Sequence, residues 1–230
     1  MATLSLIWSS LPKPCDKRKI SYCEKEGILP VDIWEYEWTD ATTFGNANPS
    51  WNRHVSGAGQ SIDDTAPNVP ATLTTTETNG FAYVAQNANF GASPGYGKTV
   101  QFRMRVDSQL GSDGAGALLV WGSVPNNRYT VVVTDTGVKF NATGAEYPMD
   151  TSVFNDFRLT FDDDDRNGGA RLYVNGSTTP ALTQTVGSST GGTNLMWIGD
   201  SSSGDGIAGV TEWSFVRWTN ADQIAPTSGP

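Results

Sequence analysis

Residues 157–176 read as a strand, an acidic turn and a returning strand: Phe157-Arg158-Leu159-Thr160-Phe161, then Ala170-Arg171-Leu172-Tyr173-Val174-Asn175-Gly176. Apolar residues at 157, 159 and 161 alternate with polar ones, a period of two that is typical of a strand with one buried face. The intervening residues 162–169 have turn composition, and Asn175-Gly176 is a strong signal for a tight hairpin turn. The segment therefore predicts an antiparallel β-hairpin.

The same alternation recurs along most of the chain. Between residues 100 and 107 it places one set of side chains opposite another: Val100, Phe102, Met104 and Val106 against Gln101, Arg103, Arg105 and Asp107. Further short strands are predicted at residues 115–121, 129–134, 138–140, 195–198 and 211–218. Short strands joined by Gly, Asn, Asp and Ser turns predict an all-β fold, a two-sheet antiparallel jelly-roll β-sandwich, over residues 31–222.

Composition narrows the function classes. The chain has 230 residues, a formal net charge of −9 and a pI of about 4.5. Such an acidic surface repels phosphate backbones, which argues against a nucleic-acid partner. No apolar run approaches the length of about 18 residues that a membrane-spanning helix needs, so membrane insertion is not expected.

The two ends of the chain differ from the centre. Residues 1–30 carry five basic and three acidic side chains (+2), whereas the remaining 200 residues carry ten basic and 21 acidic ones (−11). We interpret residues 1–30 as an atypical N-terminal arm or leader, since the apolar stretch Leu4–Trp8 makes a poor signal peptide. The spacing of Cys15 and Cys23 fits no common zinc site. Two alternatives remain for this pair: a local disulfide or two free thiols. Residues 223–230 read as a tail or linker.

Two motifs resemble the concanavalin A-like lectin/glucanase superfamily, particularly its laminin-G-like domains. One is the hairpin that ends in Tyr173-Val174-Asn175-Gly176; the other combines Trp197-Ile198-Gly199-Asp200 with Glu212-Trp213-Ser214-Phe215-Val216-Arg217-Trp218. The resemblance implies a jelly roll and an extracellular or cell-surface location. Members of the superfamily include lectins, glycan-degrading enzymes, adhesion modules and structural subunits, so the site must decide the activity.

Arginine and aromatic residues supply the leading candidate site. If the apolar positions face the core, then Arg103, Arg105 and Arg158 face outward. Arg171 and Tyr173 share one face of their strand, and Arg217 shares a face with Trp213 and Phe215. Such a face could bind an anionic glycan through bidentate contacts to carboxylate or sulfate groups. The alternative is that each arginine pairs with a neighbouring acid. Trp51, in a polar loop, is the best candidate for an exposed ring that stacks on a sugar.

The residue types allow two catalytic hypotheses. A polysaccharide lyase needs a base, an acid and a cation near the uronate carboxylate. His54, the only histidine, could be the base, with Arg53 as the cation and Tyr173 as the acid; Tyr83, Tyr96 and Tyr129 are other acids of the right type. A glycoside hydrolase would need paired carboxylates, for which Glu35 and Glu37 are the nearest match.

Carboxylates also raise the question of a metal. Because hard cations prefer carboxylate oxygens, the run Asp162–Asp165 invites a calcium interpretation, although it is more typical of a solvated turn. The family resemblance implies that one structural Ca²⁺ is common, with Asp40, Asp200 and Asp205 as unranked candidates.

These observations favour an extracellular, lectin-like carbohydrate-binding or adhesion module without catalysis, whose partner is a glycan, an anionic one if the arginine residues bind it. The first alternative is a polysaccharide-degrading enzyme, a lyase in preference to a glycoside hydrolase. The second alternative is a structural subunit of an extracellular filament or surface assembly, in which residues 1–30 join neighbouring copies by strand addition.

Overall fold

The computed structural model describes residues 34–65, 67–76, 81–86, 97–121, 128–141, 143–162, 169–185, 195–200, 206–220 and 226. They belong to a compact unit that spans Trp34–Pro230. Residues 1–30, with Cys15, Cys23 and the predicted assembly arm, lie outside the described residues, as does most of the predicted tail. No helix among the described residues is long and apolar enough to cross a membrane.

The described residues form fifteen β-strands and one 3-10 helix, Phe44–Asn46. The strands are β1 (Tyr36–Thr39), β2 (Asn52–Ser56), β3 (Ser61–Asp63), β4 (Ala71–Thr74), β5 (Phe81–Gln86), β6 (Gly97–Gln109), β7 (Gly116–Trp121), β8 (Arg128–Val133), β9 (Gly137–Phe140), β10 (Glu146–Pro148), β11 (Asn155–Asp162), β12 (Ala170–Val174), β13 (Leu182–Gln184), β14 (Leu195–Asp200) and β15 (Gly209–Thr219). The prediction of an all-β fold is confirmed.

The strands pair antiparallel in two sheets, which confirms the predicted sandwich. Sheet 1 has the order β13-β12-β11-β6-β15-β4-β3, and sheet 2 has the order β10-β9-β8-β7-β14-β5-β2. In sheet 1, one edge of β15 pairs with β6, while its other edge is shared by β4 near residues 210–213 and by β1 near residues 215–218. The last of the described strands, β15, is therefore hydrogen-bonded to three other strands of this sheet.

The hairpin predicted from residues 157–176 forms as β11 and β12. Phe157 lies opposite Val174 and Phe161 opposite Ala170, so the apolar positions of both strands share the inner face. Asn175 and Gly176 have φ angles of 50° and 74°, as the turn at the end of the strand requires. The Asn175 amide group also extends the pairing, because its Oδ1 accepts a hydrogen bond from the Asp156 N–H at 2.9 Å.

The core lies between the sheets and is rich in rings. Phe102 of β6 stacks on Phe157 of β11, with ring centroids 5.0 Å apart, and lies 5.6 Å from the ring of Trp213. Met196 and Ile198 of sheet 2 belong to the same buried cluster. Aromatic burial of this kind supplies much of the hydrophobic stabilisation and fixes which face of each strand points outward.

A β-bulge in β15 corrects one sequence-based expectation. The register between β15 and β6 shifts between Trp213 and Phe215, which adds Ser214 to one strand only. Strict alternation placed Trp213 on the same face as Phe215 and Arg217; that expectation is wrong. The extra residue reverses the sidedness, so Trp213 is fully buried in the core while Phe215 and Arg217 face outward.

Arg53 joins the two sheets at one edge of the sandwich. From β2 of sheet 2 its guanidinium reaches β3 of sheet 1, where it donates to the Ile62 carbonyl and lies 2.9 Å from Asp64 Oδ1. The other oxygen of Asp64 accepts a hydrogen bond from the Phe44 N–H at 2.7 Å. The Asp64 side chain is only 1% exposed, so this pair supports the edge and the 3-10 helix together.

Candidate functional site

The outer face of sheet 1 gathers the arginines that the sequence singled out. Arg103, Arg105, Arg158, Arg171 and Tyr173 all project from this face, because the residues between them on β6, β11 and β12 belong to the core. We call this surface the arginine face and define it by ten residues: Trp34, Gln101, Arg103, Arg105, Phe154, Arg158, Arg171, Tyr173, Phe215 and Arg217.

One cross-strand row forms the centre of the arginine face. The register aligns Arg217 of β15, Gln101 of β6, Arg158 of β11 and Tyr173 of β12. Gln101 Oε1 accepts a hydrogen bond from Arg158 Nη2 and another from Arg217 Nη2, both at 3.1 Å. The Trp34 ring covers both guanidiniums, with its centroid 4.7 Å from Arg217 Cζ and 5.3 Å from Arg158 Cζ.

The electrostatics of this row favour an anion. Burial lowers the pKa of Arg158, and the like charge of Arg217 lowers it further, although Tyr173 acts in the opposite direction. The Gln101 amide is neutral, so it orients both guanidiniums without cancelling either charge. Glu37 comes only to 3.9 Å of Arg217 Nη1, and Arg217 Nε is buried with no hydrogen-bond partner. A bound carboxylate or sulfate would offset the repulsion between the two cations.

The neighbouring Arg105 is closely paired with an acid. Arg105 donates from Nε and Nη2 to the two oxygens of Glu212, at 3.0 and 2.8 Å, and this hydrogen bonding raises the Arg105 pKa. Arg103 lies 4.0 Å from Asp156 Oδ1. Both guanidiniums lie over the Phe154 ring, with Arg103 Cζ 5.8 Å and Arg105 Cζ 5.2 Å from the ring centroid. Arg105 therefore fits the alternative interpretation of the sequence, in which an arginine pairs with a neighbouring acidic side chain.

Trp51 requires a correction. It is 3% exposed rather than displayed to solvent, because its ring packs 5.9 Å from Phe44 and edge-on to Trp218 at 5.7 Å. Its polar sequence neighbours concealed that packing. The indole face is therefore covered by the core and offers no platform for a sugar.

The three residues of the lyase hypothesis lie in different places. His54 is exposed on the outer face of sheet 2, where its ring stacks on Tyr83 at 4.6 Å. Arg53, on the opposite side of β2, is engaged with Asp64 and the Ile62 carbonyl. Tyr173 belongs to the arginine face of sheet 1 and is nearly buried. The structure does not bring this trio together.

The predicted carboxylate sites also have structural partners. Glu35 Oε2 accepts a hydrogen bond from the Asn220 N–H at 2.9 Å, and Asp40 Oδ2 accepts one from the Ser214 hydroxyl at 2.9 Å. Asp200 is buried. Among the described residues, no group of three or more His, Cys, Asp or Glu side chains is placed to hold a metal ion. Asp163–Asp165, Asp205 and Tyr96 lie outside the described residues, so calcium binding stays a prediction.

Sequence reasoning missed three members of the arginine face: Trp34, Gln101 and Phe154. Alternation predicts that Gln101 lies on the polar side of its strand. Nothing in the local sequence reveals that it contacts Arg158 and Arg217, which are 57 and 116 positions further along the chain. Trp34 and Phe154 lie just outside strands, where alternation gives no sidedness. The available signal for Phe154 was its position directly before β11, which bears Arg158; β1, which follows Trp34, bears no arginine and gave no such signal.

Comparison of the sequence with protein-family models and with curated proteins finds no match. Among solved structures, the chain is similar to the conserved carbohydrate esterase of the Shiga toxin-encoding bacteriophage phi24B, with a TM-score of 0.56 and 10% identity over 80% of this chain and 97% of that chain. Domain 4 of a GH43 extracellular arabinanase from Geobacillus stearothermophilus, solved with arabinotriose, gives a TM-score of 0.47 at 10% identity, over 84% and 94%.

The receptor-binding domain of botulinum neurotoxin D gives a TM-score of 0.46 at 11% identity, over 83% of this chain and 50% of that chain. The chain thus spans about half the length of that toxin domain. At 10% identity, the likeness to the bacteriophage protein shows a similar fold alone, and the function has to be inferred from the site.

Proposed function

We propose that this protein is a non-catalytic, lectin-like module that binds an anionic glycan on its arginine face. The observation that supports this function best is the central row, in which Arg158 and Arg217 both donate to Gln101 Oε1 and lie against the Trp34 ring. An extracellular location and membership of the concanavalin A-like superfamily are part of the proposal and rest on the sequence resemblance.

The chemistry of the row suits a carboxylated or sulfated sugar. A guanidinium presents a planar fork of donors that matches a carboxylate or sulfate in a bidentate manner. Two guanidiniums whose positions are already fixed by Gln101 lose little side-chain freedom when an anion binds. The nearby Trp34 and Phe215 rings offer apolar surface to the C–H side of a sugar ring.

The test compares a charged polymer with a neutral one. We expect isothermal titration calorimetry to detect binding of polygalacturonate or heparin and weaker binding of neutral galactan to the arginine face. Because the contacts are ionic and partly exposed, affinity for the charged polymer should fall when NaCl is raised from about 0.05 M to about 0.5 M.

Two matched variants locate the site. Arg217→Gln should weaken binding of the charged polymer about 10-fold or more, equivalent to at least about 1.4 kcal/mol. Lys139→Gln makes the same change of charge on β9 of sheet 2 and should leave binding unchanged. Equal loss in both variants, or no loss in Arg217→Gln, would refute the assignment. Release of unsaturated sugars, seen as new ultraviolet absorbance, would instead favour the lyase hypothesis.

A further inference from the structure

The outer face of sheet 2 carries a second ring-rich surface. His54 of β2 stacks on Tyr83 of β5, with centroids 4.6 Å apart and planes 16° apart. Tyr83 lies 4.8 Å from the ring of Trp197 on β14 and 5.4 Å from that of Phe81. We call these four residues the ring row. Each keeps part of its side chain in contact with solvent, and His54 is exposed.

Small residues lie beside the ring row in the sheet. The register places Gly199 of β14 next to Tyr83, and Ala117 of β7 next to Gly199. Ala117 packs with Val132 and Ile207 in an apolar cluster separate from the main core. This cluster and Gly199 are buried, so the exposed apolar surface at this part of the sheet is that of the rings themselves.

The surface around the ring row is nearly free of formal charge. Among the described residues of β2, β5 and β14, the outward neighbours of the rings are Asn52, Ser56, Ala85 and Leu195. On the outer face of sheet 2, the described charged side chains are Arg128 of β8, Lys139 of β9 and Glu146 of β10, and β7 lies between these strands and the strands that carry the rings. Burial raises the pKa of Tyr83 above 10.0, so its hydroxyl stays protonated and can donate a hydrogen bond. The ring row therefore contrasts sharply with the arginine face.

We infer that the ring row is a second carbohydrate-binding surface, specific for a neutral glycan. A sugar ring presents a C–H side that packs on aromatic faces and a rim of hydroxyls that needs hydrogen-bonding partners. The row offers both, because its rings carry a phenol, an imidazole and an indole N–H at their edges. A second copy of the chain is a poorer occupant, since both copies carry a net charge of −9 and repel each other.

This inference gives the module two faces with different ligands. The arginine face belongs to sheet 1 and the ring row to sheet 2, and the core separates them. A charged and a neutral glycan should therefore bind together without competition. The protein would then link two kinds of polysaccharide chain.

The test uses neutral hexasaccharides of β-1,4-linked glucose, xylose and mannose with the full chain. We expect at least one of them to bind with a dissociation constant of about 1 mM or tighter and to change tryptophan fluorescence through Trp197. Tyr83→Ala should weaken that binding about 10-fold, and His54→Ala, an exposed change with little risk to folding, about 3-fold or more. Tyr147→Ala removes an exposed aromatic side chain from β10 and serves as the control.

The variants separate this inference from the proposed function. Arg217→Gln should lose only the charged polymer, and Tyr83→Ala only the neutral hexasaccharide, with thermal unfolding confirming that both variants fold. The inference is overturned if no neutral hexasaccharide binds at about 1 mM, or if His54→Ala and Tyr147→Ala have equal effects. Concentration-dependent dimerisation that is abolished by His54→Ala would overturn it in favour of a second copy.

Discussion

Replacing Gln101 by Glu tests the central row most directly. The two side chains have nearly the same shape, and Gln101 Oε1 already accepts hydrogen bonds from Arg158 and Arg217 at 3.1 Å. The substitution therefore places a carboxylate where we expect the anionic group of the ligand to act. It should stabilise the folded protein and, at the same time, abolish binding of charged glycans, because the new carboxylate engages the donors of both guanidiniums and offsets one of their two positive charges.

The size of the effect follows from exposure and charge. The Arg217 side chain is 30% exposed, so each new ion pair is screened by solvent and contributes about 0.5–1 kcal/mol to the free energy of unfolding. Two pairs give about 1–2 kcal/mol, and for a domain of about 200 residues each kcal/mol raises the melting temperature by about 2–4 °C. We therefore expect a rise of about 2–8 °C at pH 7.

The pH dependence has a definite sign. Two adjacent cations lower the pKa of the new Glu in the folded state below the value of about 4.3 that it has when unfolded. The added stability is fully present above that unfolded pKa and is lost as the pH falls through the lower, folded pKa. The melting temperatures of variant and wild type should therefore converge at about pH 2–3.

Differential scanning calorimetry at neutral and acidic pH provides the stability measurement, and calorimetric titration with polygalacturonate provides the binding measurement. Gln101→Leu is the control, since it removes the shared acceptor without adding a charge and should lower the melting temperature. A Gln101→Glu variant that melts at the same temperature as wild type at pH 7, or that still binds the charged polymer, would refute the proposed role of the row.

Three further substitutions test the framework by urea denaturation. Asp64→Asn leaves the Arg53 guanidinium without its carboxylate and should lower the free energy of unfolding by about 2–4 kcal/mol; an unchanged midpoint would contradict the structural role of this pair. Gly199→Ala should cost about 2 kcal/mol or more, because φ is +103° and the new Cβ would meet the Ala82 carbonyl oxygen, whereas a neutral result would contradict this backbone conformation at Gly199. Phe157→Ala should cost about 3–5 kcal/mol through the cavity it leaves, and a loss below about 1 kcal/mol would argue against a tightly packed core.

Alternation made much of sheet 1 predictable. Hydrophobic residues at every second position of β6 and β11 have few ways to be buried other than on one face of a strand, so Arg103, Arg105 and Arg158 had to face outward. The Asn175-Gly176 turn likewise limits the local backbone to a tight reversal. Both the outward face of these arginines and the turn depend on residues close in sequence, and both were predicted correctly.

Long-range pairing was not predictable in the same way. The bulge at Ser214 depends on how β15 lies against β6, and it reversed the face assigned to Trp213. The burial of Trp51 depends on Phe44 and Trp218, which come from other parts of the chain. The convergence of Arg158 and Arg217 on Gln101 requires the strand order β15-β6-β11, which no local pattern contains. The sequence therefore could not predict the geometry of the site, because that geometry depends on strand register and strand order.

The position of β15 also has a consequence for how the protein folds. This strand comes last among the described strands, yet β1, β4 and β6 all pair with it. During synthesis on the ribosome, these three strands must wait with unpaired edges until residues 209–219 have emerged, and such edges promote aggregation. Folding dominated by such distant pairings should be slow, on a time scale of milliseconds to seconds or longer. A chain truncated before residue 209 should therefore accumulate in insoluble form, however complete sheet 2 is.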